Sequence, residues 1–146
     1  MGICTNIFSN HIWYFGDQHA ELTIGEERAM RMDAARAALD EGVRVAIHSD
    51  APVTPMGPLF TAWCAVARET MSGRILGEAQ RITTEEALYA ITLGAAYTLK
   101  LDHEIGSIEA GKRADFAVLG QDPTQAAALK DVEVLGTVLG GALHLL

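Results

Sequence analysis

Asp50, His48, His11 and His19 are the residues whose types and placing could do chemistry. Asp50 closes the stretch Val43-Arg-Val-Ala-Ile-His-Ser-Asp50-Ala-Pro52, an apolar strand that runs into a carboxylate, a proline and a Pro/Gly-rich loop. In α/β enzymes, side chains at the C-terminal edge of a buried strand leave the packed core and face the site, so a carboxylate there can ligate a metal or accept a proton. Alternation puts Arg44, Ala46, His48 and Asp50 on one strand face and Val43, Val45, Ile47 and Ser49 on the other, so His48 and Asp50 point the same way. A turn-starting role for Asp50 ahead of Ala51-Pro52 accounts for the same residues equally well. His11 follows a second short strand, residues 2–9, with apolar positions at Ile3, Cys4, Ile7 and Phe8. Asp17 and His19 lie in an aromatic-rich segment, residues 13–19, which reads as a loop able to reach the same mouth or to stand solvated.

These residues need elements to hold them. Residues 26–41 are rich in Ala, Met, Arg and Glu and end at Gly42, which predicts one helix between the two strands. Pro52, Pro55, Gly57 and Pro58 form a loop that leads into a second helix over residues 59–71. Thr83-Thr-Glu-Glu86 is a capping box that opens a helix to about residue 99, and Gly94 inside it predicts close packing. Beyond Gly106 the pattern turns to β: a turn at 105–111, strands at 114–119 and 132–139, a Gly140-Gly141 hairpin turn and a return strand to 146. The boundary falls near residues 101–106, giving units 1–101 and 102–146.

Composition excludes several classes. The chain has 146 residues, 49% hydrophobic, and a net charge of −8, with a mean hydropathy of +0.16 and a pI near 5.0, which describes one folded globular chain with a core. The basic residues are scattered, so no nucleic-acid footprint is present. Cys4 and Cys64, without Cys-x-x-Cys spacing, fit a reducing compartment and read as buried small hydrophobes. No apolar run approaches the roughly 20 residues that span a bilayer, and residues 1–6 read neither as a secretory signal nor as a myristoylation site. The expectation is therefore a cytoplasmic protein with no nucleic-acid or membrane partner.

Three phrases carry a resemblance: Ile47-His-Ser-Asp50-Ala-Pro52, Glu85-Glu-Ala-Leu88 with Thr92-Leu-Gly-Ala-Ala96, and Ile105-Gly-Ser-Ile-Glu-Ala-Gly-Lys-Arg-Ala-Asp115-Phe-Ala-Val-Leu119. In this order, with Gly25 and Arg28 upstream, nearly the whole chain resembles the C-terminal portion of a metal-dependent amidohydrolase. The branch is the one holding N-substituted formamide deformylases, D-aminoacylase-like enzymes and exoenzyme regulatory proteins. The resemblance implies a (β/α)₈ barrel with one or two divalent metals, zinc foremost, at its C-terminal mouth and a small β-domain beside it. Asp50 matches the aspartate at the end of the last barrel strand, which binds the metal and takes a proton from the attacking water; a metal lowers the water pKa toward neutrality and the carboxylate can pass the proton to the leaving amine. His11 matches a histidine at the end of an earlier strand. One helix separates it from Asp50, which puts it on the seventh strand, whereas the family's histidine ligands come from the first, fifth and sixth. His11 is thus expected to contact substrate, with His19 and His48 as further substrate contacts; His48 stands where the family often has glycine.

The chain departs from that pattern. A complete barrel takes about 250 residues, and the histidines at 11, 19, 48, 103 and 144 contain no His-x-His pair. The expected fold is α/β: a fragment of an amidohydrolase barrel, its last two strands with their helices, followed by part of a small β-domain. A parent enzyme would cleave amide, formamide or cyclic amide C–N bonds of a small-molecule substrate. The fragment alone is expected to be inactive and to bind no metal, since one carboxylate and two histidines do not define an open catalytic site. The competing expectation is a non-catalytic module that self-associates as a homo-oligomer through its open strand edges and exposed apolar helix faces. Trp13, Tyr14 and Trp63 read as pocket lining or as core, His103 and His144 as surface residues, and Lys112 and Arg113 as solvated.

Overall fold

The computed structural model describes residues 2–146, as two small sheets with helices packed around the first. Strands β1 (Cys4–Phe8) and β2 (Arg44–His48) pair in parallel, Phe8 opposite His48. Parallel neighbours need a crossover, and here it consists of α1 (Asn10–Gln18), a π turn (His19–Thr23), α2 (Glu26–Ala29) and α3 (Ala35–Asp40). Residues 13–19 are therefore helical and not the expected loop. Their aromatic side chains have a core to enter: Trp13 meets Trp63 edge-on at 5.2 Å between ring centroids, and Trp63 is itself buried.

The helix expected over 26–41 is broken. Asp33 adopts φ +49°, and the carbonyls of Met32 and Asp33, which a continuous helix would use internally, accept instead from the guanidinium of Arg68 at 2.8 and 3.0 Å. Arg68 is buried and also donates Nε to Leu76 O at 2.7 Å. Burial is the main pressure on its charge and lowers its pKa to about 10, against which the Asp33 charge acts; at neutral pH the guanidinium stays protonated and its donors stay matched to carbonyls. Gly77 closes the same corner: a Cβ there would stand 2.1 Å from Met30 O.

Helix α4 (Pro58–Ala67) begins with Pro in its first turn and stops at Arg68, whose N–H still bonds Cys64 O but whose left-handed backbone turns the chain out of the helix, so it ends short of the expected residue 71. The capping box is present: Glu86 N donates to Thr83 Oγ1 and Thr83 N to Glu86 Oε2, opening α5 (Thr84–Ile91). The single helix expected to residue 99 divides at Thr92, whose hydroxyl bonds Leu88 O at 2.7 Å and whose backbone leaves the helical region. Its continuation α6 (Leu93–Thr98) lies on β2, where a Cβ at Gly94 would come within 2.5 Å of Val45 O. Both faces of β2 are covered, since Val45, Ala46 and Ile47 are all buried, as a parallel strand requires.

The second sheet is antiparallel: β3 (Phe116–Leu119), β4 (Val134–Leu139) and β5 (Ala142–Leu145), with β4 and β5 joined at Gly140-Gly141 as expected. The turn before it is tied by Lys112, whose Nζ donates to Asp102 O and Ser107 Oγ. Lys112 is thus tucked in and not solvated; Arg113 stays exposed on Glu104. Cys64 is buried, while Cys4 is only half-buried, on a strand that among the described residues is paired on one side only.

Candidate functional site

The parallel register brings the ends of β1 and β2 together, and the candidate residues follow those ends. Phe8 lies flat between two of them: its ring stacks on His11 at 5.2 Å and on His48 at 5.6 Å. His48 half-faces this layer, and its Nδ1 accepts from Asp50 N at 3.1 Å. An accepting Nδ1 leaves the ring proton on Nε2.

Asp50 lies two residues beyond the strand with φ +54°, so the strand's alternation no longer governs its direction. The loop carrying it is pinned from below. Thr54 Oγ1 donates to Ser49 O and accepts from Asn10 Nδ2 at 2.8 Å, and both Thr54 and Asn10 are buried. The start of α1 therefore holds the loop after β2, and the Asp50 side chain is left exposed. A small hollow of about 150 Å³, lined by His48, Ser49, Met56 and Thr61, opens beside it.

On the other side of Phe8, His11 and His19 meet with Nε2 to Nε2 at 2.7 Å. The far nitrogen of His19, Nδ1, is 2.6 Å from Thr23 Oγ1, and the far nitrogen of His11 is 3.5 Å from Asp33 Oδ2. Asp33 was not recognisable from sequence, because it sat inside an apparently continuous helix; its only signal is an aspartate in a segment otherwise made of helix formers. The π turn delivers His19: the helix that carries His11 continues through Gln18 and widens at His19–Thr23.

Asp17 points elsewhere. It accepts from Thr70 Oγ1 at 2.8 Å, Ser72 Oγ at 2.9 Å and Ser72 N at 3.2 Å, clamping the end of α1 to the turn after α4. Burial works against its charge, but these hydrogen bonds and Arg74 outweigh it and hold its carboxyl below the ordinary value. The aromatic residues resolve as core: Trp13, Phe60 and Trp63 form one cluster, with Lys130 Nζ 3.9 Å over the Trp63 ring. His103 and His144 are on the surface.

Among the described residues, no three His, Cys, Asp or Glu side chains converge as a metal-binding group. Asp50 is a single donor, and the two histidine nitrogens that face each other stand too close to sit on one tetrahedral ion at the usual ~2.0–2.1 Å bond length. This donor set by itself does not fit a catalytic metal.

A model described as the amidohydrolase family matches residues 2–143. The chain is 41% identical over 117 residues to the N-substituted formamide deformylase of Arthrobacter pascens, a match covering 79% of this chain and 22% of that protein. It is 32% identical over 143 residues to protein LONG AFTER FAR-RED 3 of Arabidopsis thaliana, covering 95% of this chain and 24% of the other. Among solved structures, a metal-dependent hydrolase from Pyrococcus horikoshii superposes with a TM-score of 0.72 at 20% identity, covering 90% of this chain and 27% of that one. The chain thus spans about a quarter of the length of these relatives.

Proposed function

Because this chain belongs to the amidohydrolase family, we propose that it is the C-terminal part of a hydrolase that cleaves non-peptide C–N bonds, with residues 1–101 as the end of a barrel and 102–146 as part of a small β-domain. The observation that carries this reading is the parallel pair β1–β2 with Asp50 and His11 following the same strand ends. That is the arrangement expected of two adjacent barrel strands delivering side chains to one mouth. The resemblance to an N-substituted formamide deformylase favours amides, formamides or cyclic amides as the small-molecule substrates.

In this reading Asp50 is the proton acceptor for the attacking water and the donor to the leaving amine, and one ligand of a divalent metal, zinc by preference. The remaining donors would have to come from segments of a longer protein, because the described residues do not complete a metal site. The exposed carboxylate, on a loop held by Thr54 and Asn10, suits transfer to and from a substrate. His11, His19 and His48 are the substrate contacts, and His48 also holds the loop through Asp50 N. The two free cysteines support the cytoplasm as the compartment, and among the described residues no helix is long and apolar enough to cross a membrane.

The test compares the 146-residue chain with a longer reading frame that supplies the upstream segment, on N-substituted formamides and cyclic amides with added zinc. The longer protein should turn over, the short one should not, and Asp50→Asn should lower kcat about 10²–10⁴-fold, the range for losing a positioned proton acceptor. Equal activity of Asp50→Asn would refute the assignment. A second reading, a self-associating module without catalysis, is favoured by one observation: among the described residues the two-stranded sheet leaves the outer edges of β1 and β2 unpaired. It predicts a homo-oligomer with an interface above about 1,000 Å².

A further inference from the structure

The His11–His19 contact constrains its protons. Two ring nitrogens 2.7 Å apart cannot both present lone pairs or both present N–H groups, so one must donate to the other. Which one donates is decided at the far end of His11. Its Nδ1 faces Asp33 Oδ2, a buried carboxylate oxygen with no hydrogen-bond partner among the described residues. The 3.5 Å separation is an ion-pair distance, longer than a hydrogen bond; even so, a lone pair turned toward that oxygen would repel it and an N–H would compensate it, while the Arg68 guanidinium, whose charge also acts with that of Asp33, gives its hydrogen bonds to backbone carbonyls.

We propose that Asp33 is a positioning residue that sets the tautomers of both histidines. With neutral rings, His11 carries its proton on Nδ1 toward Asp33, its Nε2 accepts from Nε2–H of His19, and His19 Nδ1 accepts from the Thr23 hydroxyl at 2.6 Å. The chain of groups then has one direction, from the exposed Thr23 hydroxyl to the buried carboxylate. Arg68 fixes the backbone that carries this carboxylate, through its bonds to Met32 O and Asp33 O. His11, His19 and Thr23 thereby form a hydrogen-bonded row beside the Phe8 ring, with Asp33 at its end at ion-pair distance. Its use in amide cleavage rests on the hydrolase reading above; the tautomer assignment does not.

The experiment is ¹⁵N NMR of the histidine-labelled 146-residue chain at a pH where the rings are neutral. The expected result is an N–H on Nδ1 of His11 and on Nε2 of His19. Asp33→Ala, which removes the acceptor, should release the pair, with loss of the His11 Nδ1–H signal, while Thr23→Val should leave His11 unchanged. The wild-type spectrum decides even if Asp33→Ala does not fold: an Nε2–H tautomer of His11 overturns the proposal. So does an unchanged His11 tautomer in a folded Asp33→Ala, or zinc at micromolar concentration displacing the Nε2 proton and binding both rings, which would make the pair a metal seat. A pH profile of the longer protein's activity, wild type against Asp33→Ala, then reports on the role in turnover; absence of turnover with the expected tautomers would refute the hydrolase reading and leave the cluster standing.

Discussion

Gly77→Ala tests the corner that places Asp33. Gly77 has φ +70°, and an added Cβ would lie 2.1 Å from Met30 O, 3.0 Å from Met30 C and 3.0 Å from the Arg68 guanidinium. Two costs follow. An L-residue in the left-handed region loses about 1–2 kcal/mol. The overlap then forces the Met30–Asp33 backbone away by about 1 Å, and forced repacking of this kind costs about 1–3 kcal/mol. Gly73 separates the two, since it has φ +83° but nothing within 4 Å of its would-be Cβ, so Gly73→Ala should show the conformational cost alone. The sum for Gly77→Ala is about 2–5 kcal/mol, a large share of the ~5–15 kcal/mol that holds a domain together. At about 3–4 °C per kcal/mol for a chain of this length, Gly73→Ala should lower Tm by about 3–8 °C and Gly77→Ala by about 6–20 °C. Thermal and urea melts followed by circular dichroism measure both. Equal losses in the two variants would refute the close approach of residue 77 to Met30, and with it the account of why the helix breaks ahead of Asp33.

Other outcomes follow from single contacts. Burial opposes the charge of Glu86, but Arg36, bonded to both its oxygens at 2.8 Å, and Thr83 N–H hold its carboxyl below the ordinary 4.5. A carboxylate depressed on folding stabilises above the unfolded value and loses that contribution as pH falls through the folded one; urea midpoints of wild type should drop across that acid window more than those of Glu86→Gln. Thr83→Ala removes the acceptor for Glu86 N and should cost about 1 kcal/mol in the same melts. Cys64 is buried and its thiol is pushed up to about 12, mainly by desolvation, so iodoacetamide at pH 8 should label half-buried Cys4 first, read by mass spectrometry. Sedimentation at micromolar concentration should show concentration-dependent association through the open edges of β1 and β2; a monomer at all concentrations would mean that those edges are covered within one chain.

The amino-acid sequence determined the parts that depend on near neighbours. Short apolar runs make β1 and β2, Thr83 and Glu86 cap α5 across three residues, and Gly140-Gly141 turns the last hairpin, each within a few positions of itself. The order strand, helix, strand was enough to expect parallel pairing and to put Asp50 after the second strand beside the end of the first. The phrases around Asp50 and residues 105–119 were enough to identify the family. Only the tertiary structure decided where helices stop and what faces the histidines. Residues 26–41 have helical propensity throughout, yet a guanidinium 35 residues away takes the carbonyls at Met32 and Asp33 and bends the chain between them. Asp17 looked available for chemistry until Thr70 and Ser72, more than 50 positions on, claimed its oxygens. His11 and His19 are eight residues apart, and only a π turn makes their nitrogens meet, while Asp33 reaches His11 because Arg68 pins its backbone. Local preference amounts to a few tenths of a kcal/mol per residue, and a buried charge-assisted hydrogen bond exceeds it several-fold, so the distant partner settles the conformation.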